Sequence, residues 1–340
     1  MSPASTITPP PRPAGGSEPE PTPSVTYSIV IPVYRNEESI APLLERLATL
    51  TRRLDEPLEV VFVVDGSPDG SLALLRERLP YQRFASRLVC LSRNFGSFAA
   101  IRTGLQLSGG SYVGVMAADL QEPPELMFDF FEVLCGGDAD VVVGTRLSRA
   151  DPGPSALAAR LFWRLYRRLV QRDMPAGGID VFGCTAVFRD HLVALGESHS
   201  SLVGLTLWLG FRRAEVPYAR QTREHGVSAW TLRKKARYLS DSIFSFTDLP
   251  IRLLLAVGVG GMLISLLLAV AVAVARLSGA IEVSGYAATI TVITFFAALN
   301  LAGLGIIGAY VWRCFENTKR RPGAVVMAQQ SWPPGEHRER

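Results

Sequence analysis

The sequence predicts an α/β domain on a mostly parallel sheet, followed by an amphipathic interfacial helix and two apolar helices long enough to cross a bilayer. Three observations carry this. Between Tyr27 and Gly144, short β-branched apolar runs alternate with amphipathic stretches, as they do when crossover helices cover both faces of a parallel sheet. Past Arg252, about 23 residues (Leu253 to Ala275) carry no charge, and a second apolar stretch runs from Tyr286 to Trp312; each matches the length of a bilayer crossing. The mean hydropathy of +0.21 is high for a soluble chain of 340 residues, and its excess lies in that C-terminal third.

Residues 1–25 are dominated by Pro, Ser, Thr and Glu, too poor in large apolar side chains to offset ordering entropy, and read as a disordered tail without a signal peptide. From Tyr27, YSIVIPV reads as a strand feeding a helix over about Glu38 to Leu54. The theme repeats: strand Leu58 to Val64 with helix Ser71 to Leu79, strand Arg87 to Leu91 with helix Ser97 to Leu107, strand Tyr112 to Met116 with helix Pro124 to Leu134, then strand Asp140 to Gly144. A basic, aromatic helix is expected over about Ser155 to Gln171, then a Gly-rich turn holding Asp180, an acid among apolar neighbours that needs a partner if buried. RKKARYLSDSIFSFTDL, beginning at Arg233, reads as the interfacial helix, basic on one face and apolar on the other. The domain boundaries that follow are 26–230 for the α/β domain, 231–251 for the juxtamembrane segment, 252–276 and 286–312 for the two spans, and 313–340 for a basic tail.

Parallel strands deliver their following loops to one edge, so five polar loops are expected to meet: Tyr34 to Glu37, Asp65 to Gly70, Arg93 to Gly96, Asp119 to Glu122, and Thr145-Arg146. The fourth, in GVMAADLQEPPE, puts Asp119 and the amide of Gln121 beyond a strand end. Oxygen ligands of that kind suit magnesium or manganese, and the same residues suit a solvated strand end before a helix. The chain has no GxGxxG after its first strand, no GxxxxGK[ST], no GxSxG and no HExxH, which excludes a Rossmann dehydrogenase and the commonest phosphate-loop, hydrolase and zinc sites. Cys90, Cys135, Cys184 and Cys314 show no metal or disulfide spacing and read as reduced, mostly buried thiols. The net charge is only +4, but basic residues cluster at 212–237 and 313–321, which favours anionic lipid or phosphate over nucleic acid. Arg233, Lys234, Lys235 and Arg237 precede the first span, Arg313, Lys319, Arg320 and Arg321 follow the second, and the loop between carries Arg276 and Glu282. The positive-inside rule then places both termini and the α/β domain in the cytoplasm, on a multi-pass protein of the inner membrane.

Taken together in this order, IPVYRNEES, VVDGSPDGS, NFGSFAAIRTGL, MAADLQEPPE, VVGTR and the two spans resemble the family 2 inverting glycosyltransferases of GT-A fold. More narrowly they resemble the polyprenyl-phosphate transferases related to dolichol-phosphate mannose synthase and the bacterial undecaprenyl-phosphate glucosyl and aminoarabinosyl transferases. The resemblance implies a Rossmann-like, mostly parallel sheet and a nucleotide-sugar, most simply a UDP-sugar, held by Pro32, Tyr34, Glu37, Asp65 and Asp119, with Asp65 reading the base. It further implies a divalent cation, Mg²⁺ or Mn²⁺, on Asp119 and Gln121. The acceptor is polyprenyl phosphate, held by Arg146, Arg220, Arg223 and Ser228, with Lys234 in support; Asp119 and Asp180 are the catalytic acids, Asp180 orienting the acceptor or acting as base. Two positions depart from the pattern: Val64 stands for one of two paired acids, and Ala117 for the first carboxylate of the metal loop.

A phosphate monoester has a second pKa of about 6, is largely dianionic at neutral pH and attacks without a strong general base. The implied partners are a nucleotide-sugar, polyprenyl phosphate and the bilayer, with a dimer or tetramer compatible with two spans and no role for nucleic acid. Two other readings stay open on sequence alone: a catalytically silent GT-A-like scaffold, which the loss at Ala117 would explain, and a transferase acting on another lipid acceptor.

Overall fold

The structure is a computed structural model of the chain that describes residues 26–146, 164, 166–168, 174–175, 179, 181–197, 201–221, 232–278 and 286–335. An eight-stranded sheet forms its centre, in the order β7-β5-β6-β4-β1-β2-β3-β8. The strands are β1 Tyr27–Val33, β2 Leu58–Val64, β3 Ala85–Leu91, β4 Tyr112–Val115, β5 Val141–Arg146, β6 Phe182–Thr185, β7 Arg213–Tyr218 and β8 Val326–Trp332. β1 to β4 pair in parallel, as does β5 with β7. The antiparallel contacts all involve β6, inserted between β4 and β5, or β8, laid along β3. Every strand but those two therefore runs the same way, and their C-terminal ends form the single edge that the sequence predicts.

Helices cover both faces. α1 (Glu37–Thr51), α2 (Ser71–Arg78) and α4 (Leu126–Cys135) lie on one side, where Ile29, Phe62, Leu43 and Phe130 are fully buried. α3 (Ser97–Leu107), α5 (Ala186–Ala194) and α6 (Leu202–Trp208) lie on the other, around Val30, Val63, Tyr166 and Phe188. All seven residues of β2 are buried, because helices pack on both its faces. The expected elements appear with boundaries shifted by a few residues: α1 ends at Thr51 rather than Leu54, β3 starts at Ala85, and α4 starts at Leu126 after the Pro123-Pro124 turn. Arg164 and Tyr166–Arg168 are helical; the rest of the helix expected over 155–171 lies outside the described residues. All four cysteines are free, Cys90 and Cys184 buried but Cys135 and Cys314 at the surface, so half of them depart from the buried reading. Burial pushes the Cys184 thiol up to about 12, as befits a packing residue.

The C-terminal part forms three helices: α7 (Leu232–Phe246), α8 (Leu249–Leu277) and α9 (Tyr286–Thr318). Among the described residues one segment, Phe295–Thr318, is by itself long and apolar enough to cross a membrane; the end of α7 and the start of α8 qualify only as a pair bent by 78°. α7 is docked on the α/β domain. A Cβ on Gly204 would sit 2.5 Å from the Phe246 ring, so α6 approaches that ring as only a glycine allows. Buried Tyr166 donates to Ser242 Oγ at 3.4 Å, and Leu239 packs into the same core. Arg313 of α9 closes the unit, with Nη2 2.6 Å from Asp241 Oδ1 and its guanidinium 5.0 Å from the Phe244 ring centre.

The segment read as a basic tail instead carries β8, which returns from α9 to complete the sheet. It pairs antiparallel with β3 from Ser86↔Trp332 to Leu91↔Val326, with a bulge at Met327. The Ser92 amide donates to Val325 O at 2.9 Å, Gly335 N to Gln82 O at 2.7 Å, and Arg76 Nε to Gln330 Oε1 at 3.1 Å. The outer edge of β3 is thereby removed from solvent, a row of backbone groups that would otherwise stay unpaired. A chain shortened to end at Gly323 is expected to show at least about tenfold faster hydrogen–deuterium exchange at the β3 amides that face β8, and a lower thermal midpoint. Unchanged protection of Ala85 to Leu91 would contradict this account of the tail.

Candidate active site

At the end of β1 the chain turns sharply. Arg35 adopts a φ of +57°, and the Tyr34 amide donates to Asn36 Oδ1 at 3.0 Å. The loop is laced to the one after β2: Arg35 N donates to Ser67 Oγ at 2.8 Å, Asn36 N to Ser71 Oγ at 3.2 Å and Glu37 N to Asp69 Oδ2 at 3.2 Å. In return Glu37 Oε2 accepts from Gly70 N at 2.8 Å, at the start of α2. Glu37 thus serves as a brace between the two loops, and the side chain exposed beside it is Tyr34, with the Arg35 guanidinium 5.5 Å from its ring centre. Pro32 lies in β1 opposite Val63, one residue inside the strand end.

Asp65 follows the last residue of β2 and is buried, 2% exposed. Its two carboxylate oxygens accept from the backbone amides of Phe95 at 2.7 Å and Gly96 at 2.8 Å, at the start of α3. A carboxylate there satisfies N–H groups that have no partner within the helix and opposes the positive end of its dipole. Gly66, at φ +57°, presses on the same loop: a Cβ on it would lie 2.4 Å from the Arg93 carbonyl carbon. The residue expected to read the base is therefore the one that fixes the Arg93–Gly96 loop in place.

Asp119 follows β4, whose continuation bonds to β1 through Met116 N and Val30 O at 3.2 Å. Leu120, buried, adopts a φ of +57°. For a non-glycine side chain this costs on the order of 1–3 kcal/mol, strain that persists where the surroundings over-determine a loop. The kink lets the Gln121 amide donate to Asp119 Oδ1 at 3.3 Å. Arg220, two residues past β7, donates from Nη2 to Gln121 Oε1. Gln221 N donates to the Gln121 carbonyl at 2.9 Å, and Arg46 Nη1 to Gln221 Oε1 at 3.4 Å. Arg146 ends β5 in register with Tyr218 of β7, so it leaves the sheet beside the strand that leads to Arg220.

The structure thus brings Asp119, Gln121 and Arg220 together and places Pro32, Tyr34, Glu37, Asp65 and Arg146 on the same strand-end edge. Asp180, Arg223 and Ser228 lie outside the described residues, as does the Lys234 side chain. A divalent cation finds a poor cage here. Among the described residues no three His, Cys, Asp or Glu side chains come together. Ala117 offers a methyl group, and the amide oxygen of Gln121 already faces a guanidinium, whose charge opposes a cation on the same atom. The described residues do not by themselves fit a protein-held ion.

Sequence reasoning missed the lacing by Ser67, Asp69 and Ser71, although a Ser-x-Asp-x-Ser spacing before a helix is a capping signal. Asp69 accepts from Ser67 Oγ at 2.5 Å and Ser71 Oγ at 2.9 Å. Burial by itself would raise its pKa; hydrogen bonds from Ser67, Ser71 and the Glu37 and Ser71 amides outweigh it and hold the carboxyl below its ordinary value. A lowered folded-state pKa contributes stability that is present above the unfolded value of about 3.9 and is lost as pH falls through the folded one. Asp69→Asn is accordingly expected to lower the thermal midpoint at pH 7 and to converge on the parent protein below about pH 3. An equal gap at both pH values would sink the assignment.

With this geometry in hand, comparison with known proteins identifies the family. The profile described as glycosyl transferase family 2 matches residues 28–195. An uncharacterized glycosyltransferase of Synechocystis sp. is 31% identical over 304 residues, 89% of this chain and 95% of that protein. A protein of Pseudomonas paraeruginosa named undecaprenyl-phosphate 4-deoxy-4-formamido-L-arabinose transferase is 33% identical over 312 residues, 89% of this chain and 90% of that one. Among solved structures, glucosyl-3-phosphoglycerate synthase from Mycobacterium tuberculosis, in complex with Mn²⁺, UDP and phosphoglyceric acid, is 16% identical with a TM-score of 0.47, covering 65% of this chain and 76% of that one. Similar to such relatives along nearly its whole length, the chain belongs to glycosyltransferase family 2 and is a glycosyltransferase of α/β, GT-A architecture.

Proposed function

We propose that the chain moves a sugar from a nucleotide-sugar, most simply a UDP-sugar, to polyprenyl (undecaprenyl) phosphate at the cytoplasmic face of the inner membrane. The observation that carries this reading is the meeting of the Asp119–Gln121 loop with Arg220, beside the strand end that presents Arg146. A carboxylate-and-amide loop adjoining arginines suits a reaction between two phosphate-bearing substrates, because planar guanidinium forks match phosphate oxygens. The name of the Pseudomonas relative points to the same acceptor.

In this reading the loops after β1 and β2, with Pro32, Tyr34, Glu37 and Asp65, form the nucleotide side. Asp65 acts by holding the Phe95–Gly96 amides, and Tyr34 offers an exposed ring. Arg146 takes the acceptor phosphate, with Arg223, Ser228 and Lys234 supplied from the segment after β7, and Asp180 orients it. Arg220 stands where the two substrates meet. A phosphate oxygen of the acceptor attacks the anomeric carbon, the bond from that carbon to the diphosphate oxygen breaks, and its electron pair leaves with the nucleoside diphosphate. The dianionic acceptor gives up no proton, so one unit of negative charge passes from acceptor to leaving group. Attack opposite the leaving group inverts the centre, giving a β-linked lipid-phosphate sugar from an α-linked donor.

The membrane setting rests on α8 and α9. Leu255, Leu266, Leu267, Phe295, Leu301 and Leu304 are each more than 60% exposed, an apolar surface that water tolerates poorly and lipid covers. In this arrangement α7 lies at headgroup level, the two later helices span as a hairpin, alone or within a dimer or tetramer, and Lys319, packed on Trp312 and Phe315, sits where interfacial aromatic and basic residues collect.

Membranes containing the protein, given radiolabelled UDP- and GDP-sugars and undecaprenyl phosphate, are expected to label lipid from one donor. Arg146→Ala is expected to lower kcat/KM for lipid phosphate by about 100-fold or more. Labelling of diacylglycerol instead would replace the acceptor; absence of labelling with nucleotide binding intact would favour the silent scaffold.

A further inference from the structure

We propose that Arg220 supplies the positive charge that offsets the leaving diphosphate, so that transfer proceeds with divalent cations removed. This rests on the reading of the chain as a nucleotide-sugar-dependent transferase, and it assigns Arg220 to the donor rather than to the acceptor phosphate with which its sequence position groups it.

One contact holds this guanidinium over the Asp119 loop, and two more anchor the residue that follows it. Its Nη2 donates to Gln121 Oε1, the following amide donates to the Gln121 carbonyl at 2.9 Å, and Gln221 is tied to α1 through Arg46 at 3.4 Å. The loop beneath is rigid in turn, through the left-handed Leu120 and the Asp119–Gln121 turn. A cation fixed in this way loses little freedom when it meets phosphate oxygens, and preorganised charge where negative charge builds up is the most effective kind of stabilisation. A guanidinium has five N–H donors in a planar fork, more than one amide oxygen can take.

The same contacts disfavour a metal. The Gln121 oxygen that would ligate an ion is bonded to a positive group, and residue 117 is Ala, with no carboxylate to attract one. The charge balance of the transfer then closes on protein groups. As the anomeric carbon to oxygen bond breaks, the diphosphate gains one negative charge beside Arg220, while the acceptor phosphate loses one beside Arg146.

The test uses the full chain in detergent and two readouts. The first is binding of inorganic pyrophosphate in EDTA, which requires neither a particular base nor an active acceptor site. The parent protein is expected to bind, Arg220→Gln at least about tenfold more weakly, and Arg220→Lys in between. The second is sugar transfer to undecaprenyl phosphate with magnesium or with EDTA. The parent is expected to keep at least half its rate in EDTA and Arg220→Gln to lose about 100-fold, whereas Ala117→Asp combined with Arg220→Gln regains rate with magnesium and loses it in EDTA. A merely structural Arg220 would not move the metal dependence. Pyrophosphate binding or transfer by the parent that requires magnesium, or an Arg220→Gln variant that binds pyrophosphate normally in EDTA, would overturn the proposal. If the parent transfers no sugar from any donor, the proposed function fails while pyrophosphate binding still decides the role of Arg220.

Discussion

Two backbone amides, of Phe95 and Gly96, meet the buried carboxylate of Asp65, and the strand-end loops around them depend on that meeting. A buried carboxylate is tolerable only when its oxygens are hydrogen-bonded, so the start of α3 has to lie over the end of β2. The other strand-end loops follow. Asp69 and Glu37 cross-brace the loops after β1 and β2, and Gly66 lets the Arg93 peptide approach to a distance that a side chain would forbid. This side of the crevice is thus built from loops that hold one another, on strands whose parallel order sends them all to one edge.

Another part of the domain obeys a different constraint, the junction with the C-terminal helices. α7 is pinned by Phe246 against Gly204, by Ser242 under Tyr166 and by Asp241 on Arg313. β8 returns from α9 to the far edge of the sheet. The α/β domain is therefore held to the helices at two separated places, beside α6 and along β3.

Much of the sheet was legible in the sequence because β1 to β4 are buried on both faces and so read as unbroken apolar runs, with loops rich in Gly, Asp and Ser. β6 was not, since FGCT is four residues long and acquires its antiparallel place only from the gap between β4 and β5. β7 alternates in exposure and contains Pro217, and β8 (VMAQQSW) is polar and mostly exposed. Neither carries a strand signal apart from the edge it pairs with. Likewise the candidate residues were named by their match to the family's motifs, but their partners were not. Glu37 with Gly70 and Asp65 with Phe95 are contacts about 30 residues apart, and Arg220 with Gln121 spans 99. No local pattern announces such pairs, because they exist only once the strand order is set.

In the proposed reaction a dianionic lipid phosphate, rather than a hydroxyl awaiting a base, attacks the sugar. The pH dependence of kcat for transfer to undecaprenyl phosphate, measured between pH 5 and 9 on the full chain, tests it most directly. The rate is expected to rise through the second ionisation of the acceptor, at about pH 6, and then to stay flat. A rate that keeps rising above pH 7, or falls on replacing an enzyme carboxylate in a way that shifts this profile, would show that a general base is at work and contradict it.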